Sequence, residues 1–172
     1  MLDLKSLIRS IPDYPKPGIL FRDITTLIEH PQGFRESVER LAEAHRNIGI
    51  THVAGIEARG FIFGAGVAIA LGVGFVPIRK RGKLPARTIG ADYALEYGSD
   101  RLEMHADALP TGARVALVDD VVATGGTLLA ARALIEQLGA ELVAASVVIE
   151  LAFLGARARW AAPVPLHALI RY

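Results

Sequence analysis

Two adjacent carboxylates, Asp119 and Asp120, follow the apolar run Val115–Val118 and precede Ala123-Thr124-Gly125-Gly126-Thr127. The four apolar residues predict a buried strand that ends at the acid pair. Leu128, Ala131, Ile135 and Leu138 predict a helix after the turn. Strand, glycine-bearing turn and helix start is a layout that grips phosphate, because the first N–H groups of a helix lack partners within it and the helix dipole adds positive charge there. Gly125 and Gly126 let the backbone approach closely, and Thr124 and Thr127 bring hydroxyl donors. The carboxylates would repel an anion, so they predict contact with sugar hydroxyls or a hydrated magnesium ion. The plain alternative is an ordinary strand-to-helix turn with solvated aspartates. No Gly-Lys-Ser/Thr follows the turn, so it is not a Walker-type phosphate loop.

Other residue groups could join this chemistry. Val53–Ile56 reads as a short buried strand running into Glu57-Ala58-Arg59-Gly60, with a helix from Phe61, so this is a second strand–turn–helix. Arg59 at its tip either supplies charge-assisted hydrogen bonds to a phosphate or pairs with Glu57 on the surface. Five basic residues fall within Arg79–Arg87, including Lys80 and Lys83. A nucleic-acid patch is one reading, but a cluster at the end of a buried parallel strand sits on the ligand edge of a sheet and fits a polyphosphate better. Residues 84–103 lack a helical period and alternate Tyr93, Leu95 and Tyr97, which predicts a mobile hairpin or flap (82–103) able to exclude water. Glu96 in this flap is a candidate general acid, although residue chemistry alone favours a solvated loop glutamate. Three prolines between Pro12 and Pro17 rule out helix and predict an extended loop that presents Phe21 and Arg22. Phe21 there is either an aromatic face for a flat ligand or a plug covering the sheet.

The elements that must position these groups are regular. Residues 3–10 predict a short helix, and Phe34, Val38, Leu41 and Ala42 mark an amphipathic one. Phe61–Leu71 reads as a buried helix and Gly74–Ile78 as a buried strand, a division that Gly72 favours over a membrane span across the charge-free stretch 61–78. Gly139 closes the helix after the acid pair, Leu142–Leu151 predicts another buried strand, and Pro163–Ile170 a last strand near a sheet edge. Strands alternating with helices predict an α/β fold: a mostly parallel twisted sheet covered on both faces, with ligands beyond the carboxyl ends of the strands.

At 172 residues the chain is long enough for one domain with a sizeable core, and 52% of it is hydrophobic. Nineteen basic residues against 18 acidic give a net charge of +1, which argues against a general nucleic-acid or membrane-surface binder. The absence of cysteine excludes disulfides and thiolate metal sites, and the five histidines show no metal-ligand spacing. The N-terminal residues lack a continuous apolar signal core, so a cytoplasmic protein is the expectation.

The apolar run, the acid pair and the Thr-Gly-Gly-Thr turn resemble the phosphoribosyl-diphosphate signature of the type I phosphoribosyltransferases. Ile11–Thr25, Ile56–Phe61, Arg79–Pro85, Leu95–Gly98, Val115–Leu128 and Ala162–Leu166 are similar to the adenine-specific branch of that family, with Pro-Gly-Ile-Leu-Phe-Arg-Asp-Ile and Glu-Ala-Arg-Gly-Phe the most specific parts. The resemblance implies one phosphoribosyltransferase domain over residues 1–172, with a base-binding hood in residues 1–30, acting in purine salvage. Its reaction would be adenine plus 5-phosphoribosyl 1-diphosphate giving AMP and diphosphate, with Mg2+, in a homodimer. It also implies that Ala123, Thr124, Gly125, Gly126 and Thr127 cradle the 5′-phosphate, and that Asp119 and Asp120 hold the ribose hydroxyls. Glu57, Ala58, Arg59, Lys80 and Lys83 would receive the diphosphate, with Arg79 contributed across a dimer interface. Phe21 would stack on adenine while main-chain groups of Leu20 and Arg22 read its amino edge, and Glu96 becomes the acid at the purine ring nitrogen. A related xanthine or guanine enzyme and a regulatory protein that senses phosphoribosyl diphosphate are the alternatives.

Overall fold

A parallel sheet forms the spine of the molecule because its central strands are apolar on both faces and must be covered twice. The structure is a computed structural model that describes residues 2–94, 99–160 and 163–172. After a short 3-10 turn (Leu4–Leu7) the elements run β1 (Arg9–Ile11), β2 (Phe21–Asp23), α1 (Thr25–Glu29), α2 (Pro31–Glu43), β3 (His52–Ile56), α3 (Gly60–Leu71) and β4 (Gly74–Lys80). They continue with β5 (Thr88–Ala94), β6 (Ser99–His105), β7 (Arg114–Val122), α4 (Gly126–Gln137), β8 (Glu141–Glu150), α5 (Ala156–Trp160) and β9 (Leu166–Arg171). The seven-stranded sheet has the order β5-β6-β4-β3-β7-β8-β9. Its five strands from β4 to β9 are parallel, and β5–β6 is an antiparallel hairpin added at one edge. β9 lies at the other edge, as the prolines before it predict.

Two apolar clusters cover the sheet. On one face Leu128, Ala131, Leu134 and Ile135 of α4 and Trp160 of α5 pack against Leu117, Ile78 and Val147. On the other, Phe63 and Val67 of α3 and Leu41 of α2 pack against Val53, Val118 and Val148. Gly64 of α3 rests 3.4 Å (as an added Cβ would measure it) from the Cα of Gly55 in β3, so the small residues at 60 and 64 serve helix-on-sheet packing. Among the described residues no helix is long and apolar enough to cross a membrane.

Two expectations change. The helix predicted over residues 3–10 is only one 3-10 turn, and Arg9–Ile11 instead pairs with Phe21–Asp23 as a two-stranded ribbon. The first buried strand of the acid-pair motif does not end at Val118 but runs to Val122, because β8 supplies partners as far as Val122↔Glu150. The short helices α1 and α5 fall in segments too short and weakly periodic to announce themselves. The predicted flap is a hairpin whose strands pair over seven registers, and Leu102 and Met104 are fully in the core, which ties its base to the domain. Residues 95–98, and with them Glu96, lie outside the described residues.

One buried polar contact ties α2 to the sheet. His45, just past the end of α2, is 1% exposed and its Nε2 lies 2.8 Å from Ser146 Oγ of β8. Burial, helped by the nearby His167, pulls the His45 pKa from 6.5 down to about 4. Between those two values the unfolded chain takes up a proton that the folded chain refuses, so stability falls as pH drops from 6.5 to 4, by on the order of 3 kcal/mol. Urea unfolding across this window should give a steep profile for the natural chain and a flatter one for His45→Gln. Parallel profiles would remove His45 from the acid response.

Candidate active site at the carboxyl edge of the sheet

β3 pairs with β7 only as far as Gly55↔Val118, so the next two residues of β7 overhang their neighbour on that side. Those residues are Asp119 and Asp120, each 7% exposed, and successive strand residues point to opposite faces. Asp119 turns toward the start of α3. A Cβ on Gly60 would stand 2.6 Å from Asp119 Oδ1 and 3.2 Å from the Val118 carbonyl oxygen, so only glycine lets α3 begin against β7. Asp119 Oδ1 also accepts the Asp120 N–H at 2.9 Å. Burial, then the charge of Asp120, pushes the Asp119 carboxyl well above the ordinary carboxylate range. Asp120 accepts a charge-assisted hydrogen bond from Arg59 Nε.

Arg59 therefore makes neither the surface pair with Glu57 nor an isolated contact with solvent. Glu57 is engaged by Arg79, whose Nε and Nη2 both donate to it at 3.2 Å, and by the Lys80 N–H at 3.1 Å. Burial opposes the charge on Glu57, but these donors hold its carboxyl below the usual range. Arg79 Nη1 also donates to the Lys83 carbonyl at 2.8 Å, which shapes the basic loop. Lys80 Nζ reaches Asp100 of β6 at 3.5 Å, and Asp100 accepts the Tyr93 hydroxyl at 3.0 Å. Burial, then the bond to Asp100, raises the Tyr93 pKa to about 12, with a contribution from the charge of Asp119. Tyr93 thus stays a neutral donor at physiological pH, and the hairpin is tied to the basic loop. The Glu57–Ala58 peptide joining β3 to this cluster is cis.

Beyond Val122 the chain turns through Ala123 and the exposed Thr124 into Gly125, which has φ +86° and caps α4. A side chain at Gly125 would be strained in that left-handed conformation. Gly126 and Thr127 then open the helix, so their N–H groups have no carbonyl four residues back within it. Gly139 follows α4 at φ +73°, as predicted.

The N-terminal ribbon approaches the same edge from the β9 side. Leu20 is exposed and Phe21 half-buried, edge-on to Tyr14 with ring centroids 5.1 Å apart. The Arg22 guanidinium lies 3.8 Å from the centroid of Tyr172. Tyr172 in turn bonds through its backbone to Glu150 at the end of β8. Asp23 holds the ribbon in register: it accepts the Thr25 hydroxyl and N–H and Arg9 Nε, and these donors bring its pKa to about 2. The Arg22 side chain is thus drawn onto Tyr172 and also donates to the Ser10 hydroxyl of β1.

The structure thus joins Asp119 and Asp120 with Arg59 and Gly60, and Glu57 with Arg79, Lys80 and Lys83, all at the carboxyl edge of the sheet from which the turn 123–127 departs. Phe21 and Arg22 contact Tyr14, β1 and Tyr172 rather than the acid pair, and Leu20 is exposed. Sequence reading missed the close approach at Gly60 and the Tyr93–Asp100–Lys80 chain. A glycine directly before an apolar helix was a usable signal for the first; for the second, the alternation of Tyr93 in the hairpin was the only hint.

The chain matches the phosphoribosyl transferase domain over residues 23–162. It is 57% identical to the adenine phosphoribosyltransferase of Cyanothece sp., over 99% of this chain and all of that one. The adenine phosphoribosyltransferase structure from Thermoanaerobacter pseudethanolicus superposes with a TM-score of 0.95 at 46% identity, covering 99% of this chain and 98% of that one. The Saccharomyces cerevisiae enzyme, solved with an imino-altritol bisphosphate and adenine, gives 0.90 at 42% identity, covering 97% and 96%. The chain belongs to the phosphoribosyltransferase family, among its adenine phosphoribosyltransferases.

Proposed function

We propose that this chain transfers the 5-phosphoribosyl group of 5-phosphoribosyl 1-diphosphate to adenine, giving AMP and diphosphate in purine salvage. The observation that carries the reading is the acid pair overhanging β3 between a turn of free N–H groups and a loop of cations. A substrate with phosphate at both ends and a sugar between them suits this spacing of charge. Ala123–Thr127 cradle the 5′-phosphate, while Asp119 and Asp120 hold the ribose hydroxyls. Arg59, Lys80 and Lys83, framed by Glu57 and Ala58, receive the diphosphate. Arg59 must leave Asp120 to do so, exchanging one anion for another.

The carboxylate pair also fits a magnesium ion, which binds one or two carboxylates and fills its other positions with water and phosphate oxygens. Bound there, Mg2+ supplies charge neutralisation on the leaving diphosphate. The protein's cations add to that stabilisation as the C1–oxygen bond breaks and charge develops on the leaving group. Phe21 stacks on adenine, and the main chain of Leu20 and Arg22 reads its amino edge. Residues 1–30 form the hood over the base. The segment 82–103 closes over the site, excludes water from the sugar cation and carries Glu96 to the purine ring nitrogen.

A homodimer of cytoplasmic protomers completes the reading. α3 is apolar all round, and Ile62 and Ile69, two turns apart on one side, are 39% and 82% exposed. A second copy would cover this face and bring Arg79 near the partner's site. Ile69→Glu should move the chain toward monomer in light scattering, and an unchanged mass would place the contact elsewhere.

AMP formation from adenine and phosphoribosyl diphosphate with magnesium is the direct test, with xanthine and guanine as competitors. Preference for either competitor would replace the adenine reading. Asp119→Asn with Asp120→Asn should lower turnover by about a hundredfold or more while the fold survives; near-normal AMP synthesis would refute the role of the pair. For Glu96→Ala the loss should fall on kcat with little change in the KM of adenine. An unchanged rate and pH profile would dismiss Glu96 as the acid.

A further inference from the structure

We propose that Arg159 is a positioning residue that sets the phosphate-binding turn, an inference that rests on the assignment of Ala123–Thr127 to the 5′-phosphate. Arg159 Nη1 donates to the Thr124 carbonyl at 3.3 Å. The peptide between Thr124 and Gly125 is trans, so its N–H points opposite to its carbonyl. Holding the carbonyl toward α5 therefore aims the Gly125 N–H away from α5, into the turn. Without that hold, the exposed Thr124 is free to rotate its peptide and lose a donor from the cradle.

The short helix carrying Arg159 is firmly placed. Arg157 Nε and Nη2 donate to the two oxygens of Glu150 at 2.8 and 2.9 Å, and the Glu150 side chain is only 2% exposed. Trp160 is buried and its Nε1 donates to the Val164 carbonyl at 2.8 Å. Ala156 backs the turn: a Cβ on Gly125 would lie 3.5 Å from its own. Glu150 pairs in register with Val122, the last residue of the strand from which the turn departs. A closed circuit results, running from the end of β7 through β8, Glu150, Arg157 and Arg159 back to Thr124. Arg159 itself is exposed, so its single bond contributes little to global stability. Its effect is preorganisation of the site that receives the sugar phosphate.

The test measures ribose 5-phosphate binding by calorimetry in the natural chain, R159A, R159K and T127A, with diphosphate and magnesium as the second ligand. R159A should weaken ribose 5-phosphate and raise the KM of phosphoribosyl diphosphate about fivefold, the loss of one charge-assisted hydrogen bond at an exposed site. Diphosphate affinity, the KM of adenine and the melting temperature should hold. R159K, which keeps a donor, should recover most of the affinity. Unchanged ribose 5-phosphate binding in R159A overturns the proposal, as does equal weakening of both ligands or no recovery in R159K. T127A separates the premise from the inference. Normal ribose 5-phosphate binding in both T127A and R159A dismisses the phosphate turn itself, whereas weak binding in T127A with normal binding in R159A dismisses Arg159 alone.

Discussion

The contact between Gly60 and Asp119 is the constraint on which the rest of the site depends. A carboxylate is placed at the buried junction of a strand and a helix start, where a single added carbon would stand 2.6 Å from its oxygen. Charge in such a place is costly unless it is compensated. The molecule compensates in three ways: Asp119 is raised toward its neutral form, it accepts the Asp120 N–H, and Asp120 meets a cation. Each of these depends on the helix arriving at that point.

Charge compensation also explains how the three loops at the sheet edge become one site. Arg59 crosses from the β3 loop to the β7 acid pair, 61 residues away in sequence. Arg79 crosses back from the end of β4 to Glu57. Lys80 then reaches the hairpin through Asp100 and Tyr93. These pairs are partly exposed, so they add little to stability. Their consequence is positional, because cations already paired with protein carboxylates stand ready to exchange those partners for the phosphates of a substrate. The core beneath is rigid by contrast, with Leu102 and Met104 fixing the base of the hairpin to the same apolar cluster as α4.

Much of this was legible along the chain. The alternation of apolar runs with helical periods announced the parallel sheet, since strands buried on both faces must be apolar throughout. The turn 123–127 and the acids before it were legible because strand, turn and helix are neighbours in sequence. The ribbon of β1 and β2 was not. Its three-residue strands lack a measurable period, and Arg9 becomes the partner of Asp23 only when the chain folds back. The same is true of α5, whose place depends on Glu150 and on a buried tryptophan rather than on any helical pattern of its own.

The sequence by itself determined the chemical inventory: which stretch offers free N–H groups, which offers carboxylates, which offers cations, and that all three lie at the ends of strands. Local spacing encodes those facts, because a strand and the turn that follows it need no distant partner to be placed in order. Only the tertiary structure decided the pairing. Arg59 and Arg79 are equally charged and both within reach of acids, and choosing Asp120 for one and Glu57 for the other required the packed geometry of loops far apart in the chain.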